Sequence, residues 1–207
     1  MPDKSSAASP GKTPRTERGR ATLRKLLDAA AKEFGEKGFH EASISGITRE
    51  AGTALGTFYT YFDSKDAVFS ALVRDMSQAV AKAAAAGITP GGTGVTREGE
   101  ALSAFLAFAR EHKELYRIID EAEFADPESY RAHYEGTVSR IIARFDESVA
   151  NGTMAPGDNE VRAWAVMGMN VFLGLRYGIW DAERPIDEVA AVAMDILRSG
   201  IGGNANA

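Results

Sequence analysis

Apolar residues recur along this chain at three- and four-residue spacing, and no segment shows the two-residue alternation of a strand. Leu23, Leu26, Leu27, Ala30 and Phe34 form one stripe, predicting a helix that starts near Gly19 or Arg20 and ends at Gly38. Ile44, Ile47 and Ala51 predict a short helix stopped at Gly52. A second short helix follows from Ala54 or Leu55, with Phe58 and Phe62 pointing inward. Ser64 then caps a helix running from Lys65 to about Ala86, whose buried side is Val68, Phe69, Leu72, Val73, Met76 and Val80. The Gly- and Pro-containing stretch over 87–100 reads as a loop. Further stripes are Leu102, Phe105, Leu106 and Ala109, then Leu115, Ile118 and Ile119. Asp126-Pro127 opens a helix carrying Val138, Ile141, Ile142, Phe145 and Val149, and a longer one spans Asn159 to Trp180. Arg184-Pro185 opens the last. The fold class is all-α, with about nine helices.

The helix over 159–180 is apolar on two sides. Val161, Ala165, Gly168, Phe172, Leu175 and Ile179 line one; Trp164, Met167 and Val171 line the other. The last helix repeats this, with Ile186, Val189, Ala190, Ala193 and Leu197 on one face and Val192 and Ile196 on another. A helix with two apolar faces needs two partners. These last two helices are therefore expected to pair with their copies in a homodimer. A thick monomeric core is the alternative.

The densest functional pattern is SISGITREAGTALGTFYTYFDSKD, from Ser43 to Asp66. Two short helices joined at Gly52, then an aromatic cluster and a capped helix, are the layout of a DNA-reading helix-turn-helix. Gly46, inside the first short helix, costs about 1 kcal/mol against Ala. Taken in order and spacing, RKLLDAAAKEFGEKGF, ISGITREAG and LGTFYTYFDSKDAVF resemble the DNA-binding domain of the tetracycline-repressor (TetR) family over roughly residues 20 to 75. The resemblance implies an N-terminal three-helix DNA-binding domain and a helical domain for effector binding and dimerisation. It implies double-stranded DNA as partner, a palindromic operator bound by a dimer, repression, and release by a small, often lipophilic, effector. Arg20, at the basic N-terminal end, is expected at phosphates or in a minor groove. Carried onto matching positions, Ser43, Ser45 and Lys65 are expected at phosphates, and Tyr59 and Tyr61 at phosphates or bases. Leu55, Thr57 and Thr60 are expected at bases, with Gly56 allowing close approach. The chain departs from the family pattern at Ala54, where a Ser commonly caps the recognition helix, so Thr53 is expected to cap instead. Leu55 stands where a basic or polar residue is common. For the effector, Tyr116, Phe124, Tyr130, Tyr134, Trp164, Met167 and Phe172 are the candidate lining of an apolar cavity. An acyl chain suits that composition.

Charge sharpens this division. Net charge is −5, yet residues 1–65 hold 11 Lys/Arg against 8 Asp/Glu, and the remainder is acidic. A basic end on an acidic body places nucleic-acid binding at that end. The expected organisation is a disordered basic arm over 1–18, the helix-turn-helix domain over 19–65 and the effector and dimerisation domain over 66–207. No apolar run is long enough to span a membrane and no secretory leader is apparent, so a cytoplasmic protein without membrane contact is expected. Zero cysteines exclude disulfides and thiolate metal sites. His40, His112 and His133 stand alone, and no nucleophile or phosphate-loop motif occurs. The expectation is a non-enzyme without cofactor. Asp120, Glu121, Glu123, Asp126 and Glu128 read as a solvated face and a helix cap rather than an acid–base site. The alternative function is an all-helical dimeric interaction or ligand-binding module without specific DNA binding.

Overall fold

The computed structural model describes residues 14–92 and 94–199. Among them the helices run α1 (Glu17–Glu41), α2 (Ile44–Glu50), α3 (Leu55–Tyr61), α4 (Lys65–Gly87), α5 (Gly94–Glu111), α6 (Glu114–Ala125), α7 (Pro127–Ala150), α8 (Asn159–Gly174) and α9 (Ile186–Ser199). α8 continues into a π-helical segment, Leu175–Trp180. No strand occurs among the described residues, so the helical spacing of the apolar positions is what the backbone adopts.

Two boundaries differ from expectation. α1 begins at Glu17, because the Thr16 hydroxyl accepts the Gly19 amide at 3.1 Å and caps the helix early. Glu17 and Arg18 of the expected arm are thus helical, and residues 1–13 of that arm lie outside the described residues. α5 begins at Gly94, inside the stretch read as a loop. Its start is held from α7: the Gly94 amide donates to Ser148 Oγ at 3.2 Å, and buried Glu98 accepts twice from Arg144, at 2.6 and 2.8 Å. Such distant partners leave no trace in local patterning.

The chain divides into two compact units. The first joins the chain up to Met76 with Glu114–Arg131, and so contains α1–α3, the first turns of α4, and α6. α6 packs on α1. Leu26, Ala30, Phe34, Ile47, Phe58, Phe62, Phe69 and Ile118 are essentially sealed from solvent there. Phe34, Phe39 and Phe69 form an aromatic cluster, with Phe69 edge-on to Phe34 at 5.0 Å and to Phe39 at 4.8 Å.

The second unit comprises Ser77–Lys113 and the chain from Ala132. It has two apolar clusters. Leu102 and Leu106 of α5 pack with Val189, Ala190, Ala193 and Met194 of α9. Val138, Ile141 and Phe145 of α7 pack with Ala163, Val166 and Met167 of α8. Gly178, in the π-helical segment, faces Ala109 of α5, where an added Cβ would lie 3.1 Å from the Ala109 methyl. The Glu98–Arg144 pair ties α5 to α7.

Candidate nucleic-acid interface

The helix-turn-helix is built by anchoring α3 from beneath and leaving its outer side free. Phe58 and Phe62, four residues apart, are both buried, with ring centroids 5.6 Å apart. Leu55, Gly56, Tyr59 and Thr60 consequently fall on the exposed side, with Leu55 52% and Tyr59 48% accessible. Thr57 and Tyr61 flank this face, half-buried. Gly52 takes φ +62° in the turn before α3, the conformation expected for it. The start of α3 differs from expectation. Its N-cap is Ala54, with no side-chain hydrogen bond, and Thr53 does not cap. The Thr53 hydroxyl is instead buried without a hydrogen-bond partner.

α2 is set by one buried carboxylate. Glu33 of α1 accepts from Lys37 Nζ at 2.8 Å, from the Ser43 amide at 3.2 Å and from the Ser43 hydroxyl at 3.4 Å. Burial pushes its carboxyl up, but Lys37 and the two Ser43 donors bring it net below the ordinary value. Ser43 Oγ in turn accepts the Gly46 amide at 3.0 Å and caps α2. Gly46 now has a reason: a Cβ there would overlap the Glu33 carboxylate. The helix-propensity cost noted from the sequence is the condition for this anchor. Ser43 and Ser45 are both exposed on the outside of α2.

The corner between α1 and α2 is clamped on two sides. Gly38 breaks α1 with φ +81°, and a Cβ on it would meet Glu121 and Arg117. From α6, Arg117 Nη1 donates to the carbonyls of Gly35 and Glu36 at 3.1 and 3.0 Å, and Glu121 accepts the Phe39 amide. From α4, Lys65 Nζ donates to the carbonyls of Phe39, His40 and Ala42 at 2.7, 3.1 and 3.2 Å and sits over the Phe39 ring. Lys65 was expected at a phosphate. In this structure its three ammonium protons are matched by three carbonyls of its own unit, which fastens the corner. Glu33 and Arg117 are not among the expected site residues, and Glu121, read as part of a solvated acidic face, is turned onto the corner. Their sequence signals are i,i+4 pairs with Lys37 and with each other, which read as ordinary helix-surface pairs.

Arg20 is exposed in the first turn of α1. Between Arg18 and Arg20, Gly19 lies beside α3: a Cβ on it would be 3.6 Å from the Tyr61 hydroxyl. The basic start of α1 therefore adjoins the end of α3.

The expected cavity-lining residues are only partly inward. In the first unit Tyr116 and Tyr130 are half-buried and Phe124 is 83% exposed. In the second, Met167 lies in the α7–α8 core with Tyr134 packed against it. Trp164 and Phe172 face outward, 44% and 71% accessible, with Val161, Ala165 and Gly168. The reason is helical phase: Ala163, Val166 and Met167 take the core side of α8, which turns Trp164 and Phe172 away. Trp180, Val192 and Ile196 are also exposed. His133 is buried, with Nδ1 2.8 Å from Ser77 Oγ, and burial together with Arg140 lowers its pKa to about 4.

Comparison with known proteins agrees with this geometry. The family model for bacterial regulatory proteins of the tetR family matches residues 26–72. An uncharacterized helix-turn-helix-type transcriptional regulator of Bacillus subtilis, YdgC, is 43% identical over 65 residues, which cover 31% of this chain and 33% of that protein. The chain thus matches about a third of the length of that relative. YhgD, likewise named an uncharacterized regulator of this type in B. subtilis, is 25% identical over 168 residues, covering 77% of this chain and 84% of it. In fold, the chain resembles the B. subtilis transcriptional regulator FadR solved with stearoyl-CoA, with TM-score 0.76 and 18% identity over 86% of this chain and 98% of that one. Residues 26–72 are thus a helix-turn-helix segment of the tetR type in sequence, and most of the chain shares the fold of the FadR structure.

Proposed function

We propose that this protein is a sequence-specific, ligand-responsive repressor that binds a palindromic operator as a homodimer. The observation that carries the reading is the α3 face. Leu55, Gly56, Tyr59 and Thr60 stand free on a helix anchored by Phe58 and Phe62, beside the arginines that open α1. In this reading α3 enters the major groove, while Ser43, Ser45, Tyr59, Tyr61 and Arg20 fix register on phosphates. Dimerisation uses the outward apolar residues of α8 and α9. Val161, Trp164, Phe172, Val192 and Ile196 form a surface that water solvates poorly and a second copy would bury. Two α3 helices then read two half-sites. The effector is a small apolar molecule bound by the helical domain, and the FadR likeness makes a long-chain acyl-CoA thioester the first candidate. It acts by binding more tightly to the DNA-free conformation. With Trp164 and Phe172 on the dimer surface, Tyr134 and Met167 are the lining candidates that remain on the inner side.

Fluorescence anisotropy of a labelled duplex from immediately upstream of the gene, titrated at several salt concentrations, tests this. The expected result is salt-dependent binding tighter than to a scrambled duplex, loss of that binding in a Phe172→Arg variant that sediments as a monomer, and release by stearoyl-CoA. If neither that duplex nor any sequence enriched from a random pool is preferred over scrambled DNA, the reading is wrong.

A further inference from the structure

α3 carries an unusual set of side chains for a helix that reads bases. Leu55–Tyr61 is LGTFYTY and holds no Arg, Lys, Asn, Gln, Asp or Glu. Guanine is recognised chiefly by Arg or Lys bridging O6 and N7, adenine by Asn or Gln bridging N6 and N7, and cytosine N4 by a carboxylate. None of these bonds can come from α3. Its outer side offers the aliphatic Leu55, half-exposed, the Tyr59 ring and phenol, and two threonines. Thr60 is further restricted. Its hydroxyl donates to the Gly56 carbonyl at 3.2 Å, which leaves its methyl group and an acceptor lone pair for a partner. The hydroxyls of Thr57 and Tyr59 can bond several bases alike, whereas the methyl groups single out the 5-methyl of thymine, which projects into the major groove and is contacted by aliphatic and threonine methyl groups.

Gly56 supports the same conclusion. A Cβ at that position would meet nothing within 4 Å, so no packing inside the chain calls for a glycine there. A mid-helix glycine costs about 1 kcal/mol against Ala. Next to Leu55 on the exposed side, its lack of a side chain lets the helix backbone sit close to a groove wall. Short methyl-bearing side chains reach base edges only at that closeness. By contrast, Gly46 in α2 is required by Glu33, which shows what an internally required glycine looks like in this domain.

We infer that this protein selects its operator mainly through thymine 5-methyl groups, contacted by Leu55, Thr57 and Thr60, with Gly56 setting the distance of approach. The inference rests on the reading above that α3 enters the major groove. It is tested by enriching sites for the full-length protein from a randomised duplex pool, then replacing each thymine of the enriched site, one at a time, with deoxyuridine. The expected result is at least one thymine in each half-site whose replacement weakens binding about three- to ten-fold. Leu55→Ala, at an exposed position, should bring the thymine and deoxyuridine duplexes within two-fold of each other at one thymine per half-site, the one Leu55 contacts, and leave the others unchanged. Enrichment of a site whose deoxyuridine duplexes all bind within two-fold would overturn the inference while leaving specific DNA binding intact. So would a guanine-dominated site, which would place an arginine from outside α3, such as Arg49, in the groove. No enrichment of any sequence would overturn the DNA-binding reading, and the inference with it.

Discussion

The two compact units differ in what their most buried charges meet. In the first, charged side chains fasten backbone: Lys65 and Arg117 donate to carbonyls around Gly38, while Glu33 and Glu121 accept amides of Ser43 and Phe39. In the second, the most buried charge is matched by another charge, Glu98 by Arg144, and the buried His133 is held neutral. The surfaces differ correspondingly. The first unit presents a small helix with hydroxyls beside arginines; the second leaves large apolar residues of α8 and α9 outside. A domain that must hold a short helix in register gains from many directional bonds to loop backbone.

The contrast can be broken most forcefully at Glu98. Glu98→Ala leaves the Arg144 guanidinium, 18% exposed, without its anion, and stability should fall by about 3–5 kcal/mol. Urea denaturation of the full chain measures it, and a loss under about 1 kcal/mol would show the pair to be dispensable. Next is His133. Its folded pKa of about 4 lies below the ordinary histidine value of 6.5, so between those values the unfolded chain binds more protons and stability rises with pH. Acidification across that window should remove on the order of 3 kcal/mol. A His133→Gln variant should lose this component, and an unchanged pH slope would refute it. Lys65→Met sharpens the role given to the corner clamp: stability should drop by about 2 kcal/mol, while the salt dependence of DNA binding stays the same. A slope smaller by about one unit would return Lys65 to a phosphate. The smallest effect lies at the start of α3. Ala54→Ser supplies the missing cap and should raise stability by about 1 kcal/mol, read as a higher midpoint of thermal unfolding.

Much of the fold was legible because helical periodicity reports burial directly. The stripes Leu26, Ala30, Phe34 and Val68, Phe69, Leu72, Val73 are buried as read, and Ser43, Ser64 and Asp126 each cap the helix that follows. The α3 face was legible too, since Phe58 and Phe62 dictate which side is left. What failed was anything that depended on a remote partner. The loop expected over 87–100 becomes the start of α5 once Arg144 and Ser148 are placed beside it. Lys65, basic and next to α3, reads as a phosphate ligand from the sequence, whereas three carbonyls of the α1–α2 corner surround its ammonium in the fold. Thr53, one residue too early, cannot substitute for a cap at Ala54.

By itself the sequence determined the all-helical class, the helix-turn-helix at its N-terminal end and the composition of the exposed α3 face, because these follow from local spacing and side-chain chemistry. Tertiary structure alone decided what the charges and aromatic residues do. It set Glu33 against Gly46, drew α6 onto the α1–α2 corner, and turned Trp164 and Phe172 outward while Met167 went in. Those outcomes depend on helical phase and on partners tens of residues away, and a one-dimensional pattern carries neither.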